Sequence, residues 1–411
     1  MLHSIVVERA IVHRISFLIT PWRLKVYPIA ALAGLFVAVL FTVLTARDGA
    51  IVTGRLGGDF PAFYVAGKMV TQGESHSIYD PERILSEQRL IIPTGGYLPF
   101  VNPPHFAYFY APFGAMSYNF AFLLHYCFLV FLLAYIVKDL VSLEYIDSLM
   151  FYFSLIFCLT FYPILKSVLG GQNSVLSLFL LFIVWKFADS GREWRAGLCL
   201  GLLMYKPQFA IPFIGLFFLA GYWRVAASGV LSWIIIAFGT IYFLKHNLLE
   251  WLAFAFAFSE RDAIVNKLNS VSLSGFVEAF SGGASSASLS LAGIGVILVV
   301  ISISALWYQG KRKRRLNELM AAACPAVLLI PQHVMYYDVS LCVLSILLLV
   351  NDKTIRSKMF PMLWLLGFTQ VFAHLLGFSP LFLVVLGVYI YFFRLGWSRS
   401  QNVSMPLWWI M

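Results

Sequence analysis

Charge is what this chain has least of. Asp, Glu, Lys and Arg make up 12% of its 411 residues against 61% hydrophobic ones, and the mean hydropathy is +0.84. An ordinary soluble domain carries about 25% charged residues, so a water-soluble globular chain is excluded. No polar stretch is long enough to build a separate soluble domain, and the sequence reads as a single membrane-embedded unit over residues 1–411. The five cysteines (Cys127, Cys158, Cys199, Cys324 and Cys342) all fall in apolar runs without CxxC spacing, which argues against a disulfide framework or a zinc site. HExxH, Cys/His pairs and closely spaced acids are missing as well, so neither a metal nor a cofactor is expected. A cleavable leader is not visible either. The N-terminus is basic (Arg9, Arg14, Arg23, Lys25), and the first long apolar run, 26–46, exceeds a signal-peptide core and reads as an anchor.

What is present is a carboxylate in an unusual place. Gly57-Gly58-Asp59-Phe60-Pro61-Ala62-Phe63-Tyr64 follows the first apolar run, so Asp59 is expected at the water-facing edge of the membrane, after two glycines that would permit a sharp turn. Phe60, Phe63, Tyr64, Ala66 and Gly67 share one face at helical spacing, which predicts a short amphipathic helix along the interface. The loop that carries them, 47–117, is the longest in the chain. It continues with a second amphipathic piece at 81–90 and a proline-rich aromatic stretch at 97–112.

Later apolar runs are expected at 118–137, 148–165, 175–185, 196–222, 225–244, 289–308, 319–330, 339–350, 359–377 and 380–393. The run 196–222 is interrupted by Tyr205-Lys206-Pro207-Gln208, and charge decides how it is read. As a single crossing it would put the basic run 311–315, with Lys353, Arg356 and Lys358, outside the cell, against the positive-inside tendency. A reversal at Lys206 instead gives about twelve spans, with both termini in the cytoplasm and most Lys and Arg inside. The same topology gathers Asp59, Lys166, Gly171-Gln172-Asn173, Lys206-Pro207-Gln208 and the break from Gln332 to Asp338 on the outer side, with 245–288 as a second outer loop. A net charge of +10 is thus a matter of topology, and no nucleic-acid partner is expected.

Each polar break has a functional and a structural reading. Asp59 can be a general base or a helix N-cap. Lys206 can hold a phosphate as a point charge or snorkel to the interface. Gln172-Asn173 offers amides to sugar hydroxyls or a phosphate, or forms a tight turn. His333, between Pro331 and Tyr336-Tyr337-Asp338, can meet a phosphate, orient an acid or be structural.

Taken in order, Asp59-Phe60 with Phe63, Tyr64, Ala66 and Gly67, then Gly73, Tyr79-Asp80, Pro103-Pro104, Gly171-Gln172-Asn173 and Lys206-Pro207-Gln208 resemble the motif series of glycosyltransferase family 87. These are integral-membrane enzymes of the GT-C superfamily, typified by polyprenol-phosphate-mannose-dependent mannosyltransferases. The resemblance implies an all-α polytopic fold and inverting transfer of a sugar, mannose in the typical members, from a polyprenyl-phosphate donor. The acceptor would be a hydroxyl of a lipid or glycan at the extracytoplasmic face of a bacterial inner membrane. It implies Asp59 as the base and Lys206 and His333 at the donor phosphate, with Tyr64, Gln172, Asn173 and Gln208 around the substrate. A transporter or flippase for a lipid-linked sugar is the rival reading, and an enzyme moving a phospholipid-type group is a third.

Overall fold

The computed structural model describes residues 21–45, 58–93, 95–141, 148–242, 244–245, 248–281, 285–310, 315–332, 334–352 and 355–401. Among the described residues every regular element is a helix, and one antiparallel bridge, Ser270 to Met335, is the sole sheet-like contact. Four helices, Tyr118–Leu140, Trp223–Tyr242, Ser286–Gly310 and Leu381–Ser400, are long and apolar enough to cross a membrane. The pair Phe151–Thr160 and Tyr162–Gly170 makes a fifth candidate, bent by 73°. The bend falls at Phe161, whose extended backbone precedes Pro163 in the first turn of the second helix. The sequence reading placed a span at 148–165 and missed this corner. The remaining apolar helices are shorter, at 10–17 residues.

Polar contacts mark two ends of the bundle. At one end Trp185 Nε1 donates to Asn317 Oδ1 at 2.8 Å and Lys186 pairs with Asp139. Arg399 there reaches Glu318 at 3.1 Å and Asp352 at 2.9 Å, and Ser400 donates to Gln309 at 3.2 Å. At the other end Ser177 meets the Tyr205 hydroxyl at 2.7 Å and Lys206 meets Asp338 at 2.7 Å. The helices Ser174–Asp189 and Glu193–Leu202 therefore run antiparallel between the two ends.

The interrupted run 196–222 is resolved by its neighbours. Trp194 packs edge-on against Trp223 at 6.2 Å, Gly197 abuts Ser228, and Gly201 abuts Ser232. The Trp223–Tyr242 helix thus lies beside Glu193–Leu202 and runs the same way. Pro207–Leu219 must then return the chain between them, so the backbone reverses at Lys206, a residue that proline follows and that itself begins the next helix.

The first loop departs from expectation. Phe60–Thr71 is a helix, but not one lying half-exposed along an interface: nine of its residues, 60–67 and 69, are buried. The helix Pro104–Gly114 covers its second face. The crossing is so close that a Cβ on Gly67 would stand 2.2 Å from the Tyr110 carbonyl oxygen, and one on Gly114 2.2 Å from the Lys68 nitrogen. Phe60 and Tyr64 continue the packing into Tyr118 and Phe122. The expected piece at 81–90 appears as Pro81–Arg89 and does keep one buried side, Ile84, Glu87 and Gln88. The later segment that contains Leu248–Val265 closes on the first loop through Trp251 Nε1, which donates to the Val101 carbonyl at 2.9 Å, and through Phe254 against Tyr79.

Candidate active site

Asp59 occupies the N-cap position of Phe60–Thr71, yet its side chain makes no capping bond. The contrast with Asp80 is direct, since that carboxylate does cap its helix by accepting from the Glu82 and Arg83 amides. Asp59 instead turns to a distant segment. Its Oδ2 accepts from Gln172 Nε2 at 2.8 Å, and its backbone N–H donates to the Gly170 carbonyl at 2.9 Å. The charge of Asp59 also acts on the phenol of Tyr336, from a third segment.

The turn that reaches Asp59 depends on Gly171. It ends the helix Tyr162–Gly170 with φ +72, and a Cβ there would stand 2.5 Å from Cβ of Phe60, next to Asp59 in the chain. Of the two glycines expected to supply the turn before Asp59, Gly57 lies outside the described residues and Gly58 has open space around it and no positive φ; the described requirement for glycine lies in the partner segment.

Three residues after Gly171, at Ser174, the same turn meets a buried ion pair. Lys206 Nζ lies 2.7 Å from Asp338 Oδ1 and 3.5 Å from Ser174 Oγ, and Ser174 Oγ donates to that carboxylate oxygen at 2.6 Å. Lys206 and Asp338 are 7% and 5% exposed, a depth at which a charge without a partner is costly. Asn173 lies in the chain between Gln172, which holds Asp59, and Ser174, which holds Asp338. It is 1% exposed, and neither atom of its side-chain amide has a hydrogen-bond partner among the described residues. Native proteins rarely leave buried amides unsatisfied, so this orphan singles out Asn173 as a candidate contact. The site also adjoins the start of Ser174–Asp189, where unpaired backbone N–H groups favour negative charge.

The wall of the site is aromatic. Tyr205 stacks on Phe106 at 4.1 Å with the rings 6° from parallel, its hydroxyl approaches the Asn173 carbonyl at 3.3 Å, and its own carbonyl accepts from Asn102 Nδ2 at 3.0 Å. Tyr79 donates to the Asn102 carbonyl at 2.8 Å. The first loop is thereby latched onto the turn at Lys206. Beside Phe106, His105 is mostly buried, which lowers its pKa to about 4 and keeps it neutral.

Of the residues singled out in the sequence, Asp59, Gln172, Asn173 and Lys206 come together. Tyr64 is one of the buried packing residues; its hydroxyl donates to the Met116 carbonyl at 2.8 Å, and burial raises its pKa. Gln208 is exposed on the first turn of Pro207–Leu219, and Lys166 is exposed on Tyr162–Gly170. His333 lies outside the described residues; its neighbours are held by the Val271 amide on the Val334 carbonyl and by Ser272 Oγ on the Gln332 carbonyl, each at 2.8 Å. The sequence reading did not find Ser174 or the pairing of Lys206 with Asp338. A hydroxyl residue after Asn173 and an acid in the last polar break were visible, but nothing in one sequence links positions 132 residues apart.

Comparison with known proteins returns no curated protein and no solved structure that matches. The sequence model of glycosyltransferase family 87 matches residues 100–331, more than half of the chain. The matched stretch contains Gln172, Asn173, Ser174 and Lys206, while Asp59 lies 41 residues before its start and Asp338 seven residues after its end. With the helical, apolar architecture on one side and this match on the other, the chain belongs to glycosyltransferase family 87, and it is a membrane glycosyltransferase.

Proposed function

We propose that the protein transfers a sugar, mannose by the family likeness, from a polyprenyl-phosphate donor to an acceptor hydroxyl, with inversion, at the extracytoplasmic face. The observation that carries this reading is the short turn 170–174, which holds Asp59 at one end through Gln172 and the Lys206–Asp338 pair at the other through Ser174. In the reaction Asp59 accepts the proton of the acceptor hydroxyl as its oxygen bonds to the sugar C1. The bond from C1 to the phosphate oxygen breaks with its electron pair left on that oxygen. Lys206 and the N-terminus of Ser174–Asp189 stabilise the charge gathering on the leaving phosphate. The Asn173 amide fits a sugar hydroxyl, which both donates and accepts.

The sidedness follows from charge. With Arg315, Lys186 and Arg399 at the end opposite the site, the positive-inside tendency favours that end in the cytoplasm and Asp59 outside, in a chain of about twelve crossings. Polyprenol is embedded in the bilayer, so its phosphate arrives at this depth without leaving the membrane.

The test is transfer itself. Purified protein is incubated with labelled polyprenyl-phosphate mannose and a membrane extract, with labelled nucleotide mannose in a parallel sample. Label passing from the lipid donor alone to one extract component is the expected result. Label arriving only from the nucleotide sugar, or the lipid donor crossing vesicles intact without transfer, would contradict the proposal.

A further inference from the structure

The ion pair at the site is oddly constructed for a phosphate-binding lysine. An ammonium group has three N–H donors, and Lys206 directs two of them at Asp338 and Ser174, leaving one for any ligand. A site built only for tight phosphate binding would leave the charge unneutralised. Asp338 cancels it, and is itself fixed by a 2.6 Å bond from Ser174 Oγ, at the start of the helix that adjoins the site. A carboxylate so placed competes with an incoming phosphate for the same cation and repels it.

Resting on the reading of Lys206 given above, we propose that Asp338 is a positioning residue that tempers the affinity of the site for the leaving phosphate. The donor is a phosphodiester with one negative charge. When the bond to C1 breaks, the polyprenyl phosphate product becomes a monoester that gains a second charge, with a pKa near 6. An unopposed buried lysine at a helix N-terminus would hold that product more tightly than the donor and stall turnover. Asp338 holds the ammonium in place before the donor arrives and reclaims it after transfer, so that the product leaves. The residue therefore acts through Lys206 and touches neither the sugar nor the acceptor.

The experiment measures inhibition of transfer by added polyprenyl phosphate, together with KM and kcat for the donor, in full-length protein. Asp338→Asn keeps the shape and still accepts from Ser174, but removes the opposing charge. The expected result is inhibition by polyprenyl phosphate about tenfold tighter, a lower donor KM and a lower kcat, a split that loss of fold does not produce. Lys206→Met with Asp338→Asn removes both charges and should fold at least as well as the wild type. In that protein polyprenyl phosphate should bind about tenfold more weakly than in the wild type. Unchanged or weaker product inhibition in Asp338→Asn, with the double variant behaving as expected, overturns the role of Asp338 alone. Unchanged polyprenyl phosphate affinity in the double variant removes Lys206 from the donor site and takes this inference with it. Should Asp338→Asn not yield monodisperse protein, Ser174→Ala loosens the same carboxylate, and a tightening of product inhibition of about threefold is expected there; no change overturns the proposal.

Discussion

At the scale of single residues, the site separates side chains that hold the fold from those that wait for a ligand. Gln172 holds Asp59 by one bond of 2.8 Å, and a hydrogen bond to a charged group contributes about 1.5–3 kcal/mol. Gln172→Leu is expected to lower kcat about tenfold or more by loosening the carboxylate, and to lower the melting temperature by a few degrees as well, read from transfer kinetics and a thermal melt. Asn173 makes the opposite case. Its amide has no protein partner among the described residues, so Asn173→Ala removes no bond from the fold. Donor or acceptor KM should rise about tenfold while stability holds or improves, and a fall in stability with unchanged KM would show that the amide is structural. Asp59 and the Gln172-Asn173 break were legible in the sequence because polar residues interrupting apolar runs are costly and conspicuous. Tyr64 was singled out through the family likeness, and one sequence gives no sign of its bond to the Met116 carbonyl, 52 residues away.

At the scale of elements, glycine sets two close approaches on which the site depends. Gly171→Ala forces an L residue into φ +72 at a cost of about 1–2 kcal/mol and drives a methyl group into Phe60, so both stability and activity should fall. Gly67→Ala should separate the helices Phe60–Thr71 and Pro104–Gly114 and lower the melting temperature, whereas Gly58→Ala, with open space around it, should not. A thermal melt of the three variants checks all of this at once; equal melting temperatures would contradict the packing described here. Helix existence was readable from long apolar runs, as in Tyr118–Val141 and Trp223–Tyr242. The burial of Phe60–Thr71 was not, because the face that looked polar enough for water is covered by a helix whose glycine contact cannot be seen in one sequence.

At the scale of the whole molecule, charge did what the apolar runs could not. The reversal at Lys206 was expected only because a straight run 196–222 would misplace the basic loops, and the packing of Trp194 on Trp223 requires the same turn. The bend at Phe161 was missed because 148–165 reads as one continuous apolar run, with no charge or polar break to mark the corner before Pro163. Sidedness is open to a direct check: a cysteine placed at Arg192 or Trp223 should resist a membrane-impermeant reagent in intact cells, while one at Gln208, exposed beside the site, should react. The central claim is that Asp59 is the base of a sugar transfer, and Asp59→Asn tests it most directly, because Asn keeps the volume and the ability to accept from Gln172 but takes no proton. Wild-type and variant protein are assayed together with labelled polyprenyl-phosphate mannose and acceptor. The account predicts a variant that melts like the wild type and still binds donor but transfers at least roughly 100-fold more slowly; transfer at the wild-type rate by the variant would contradict it.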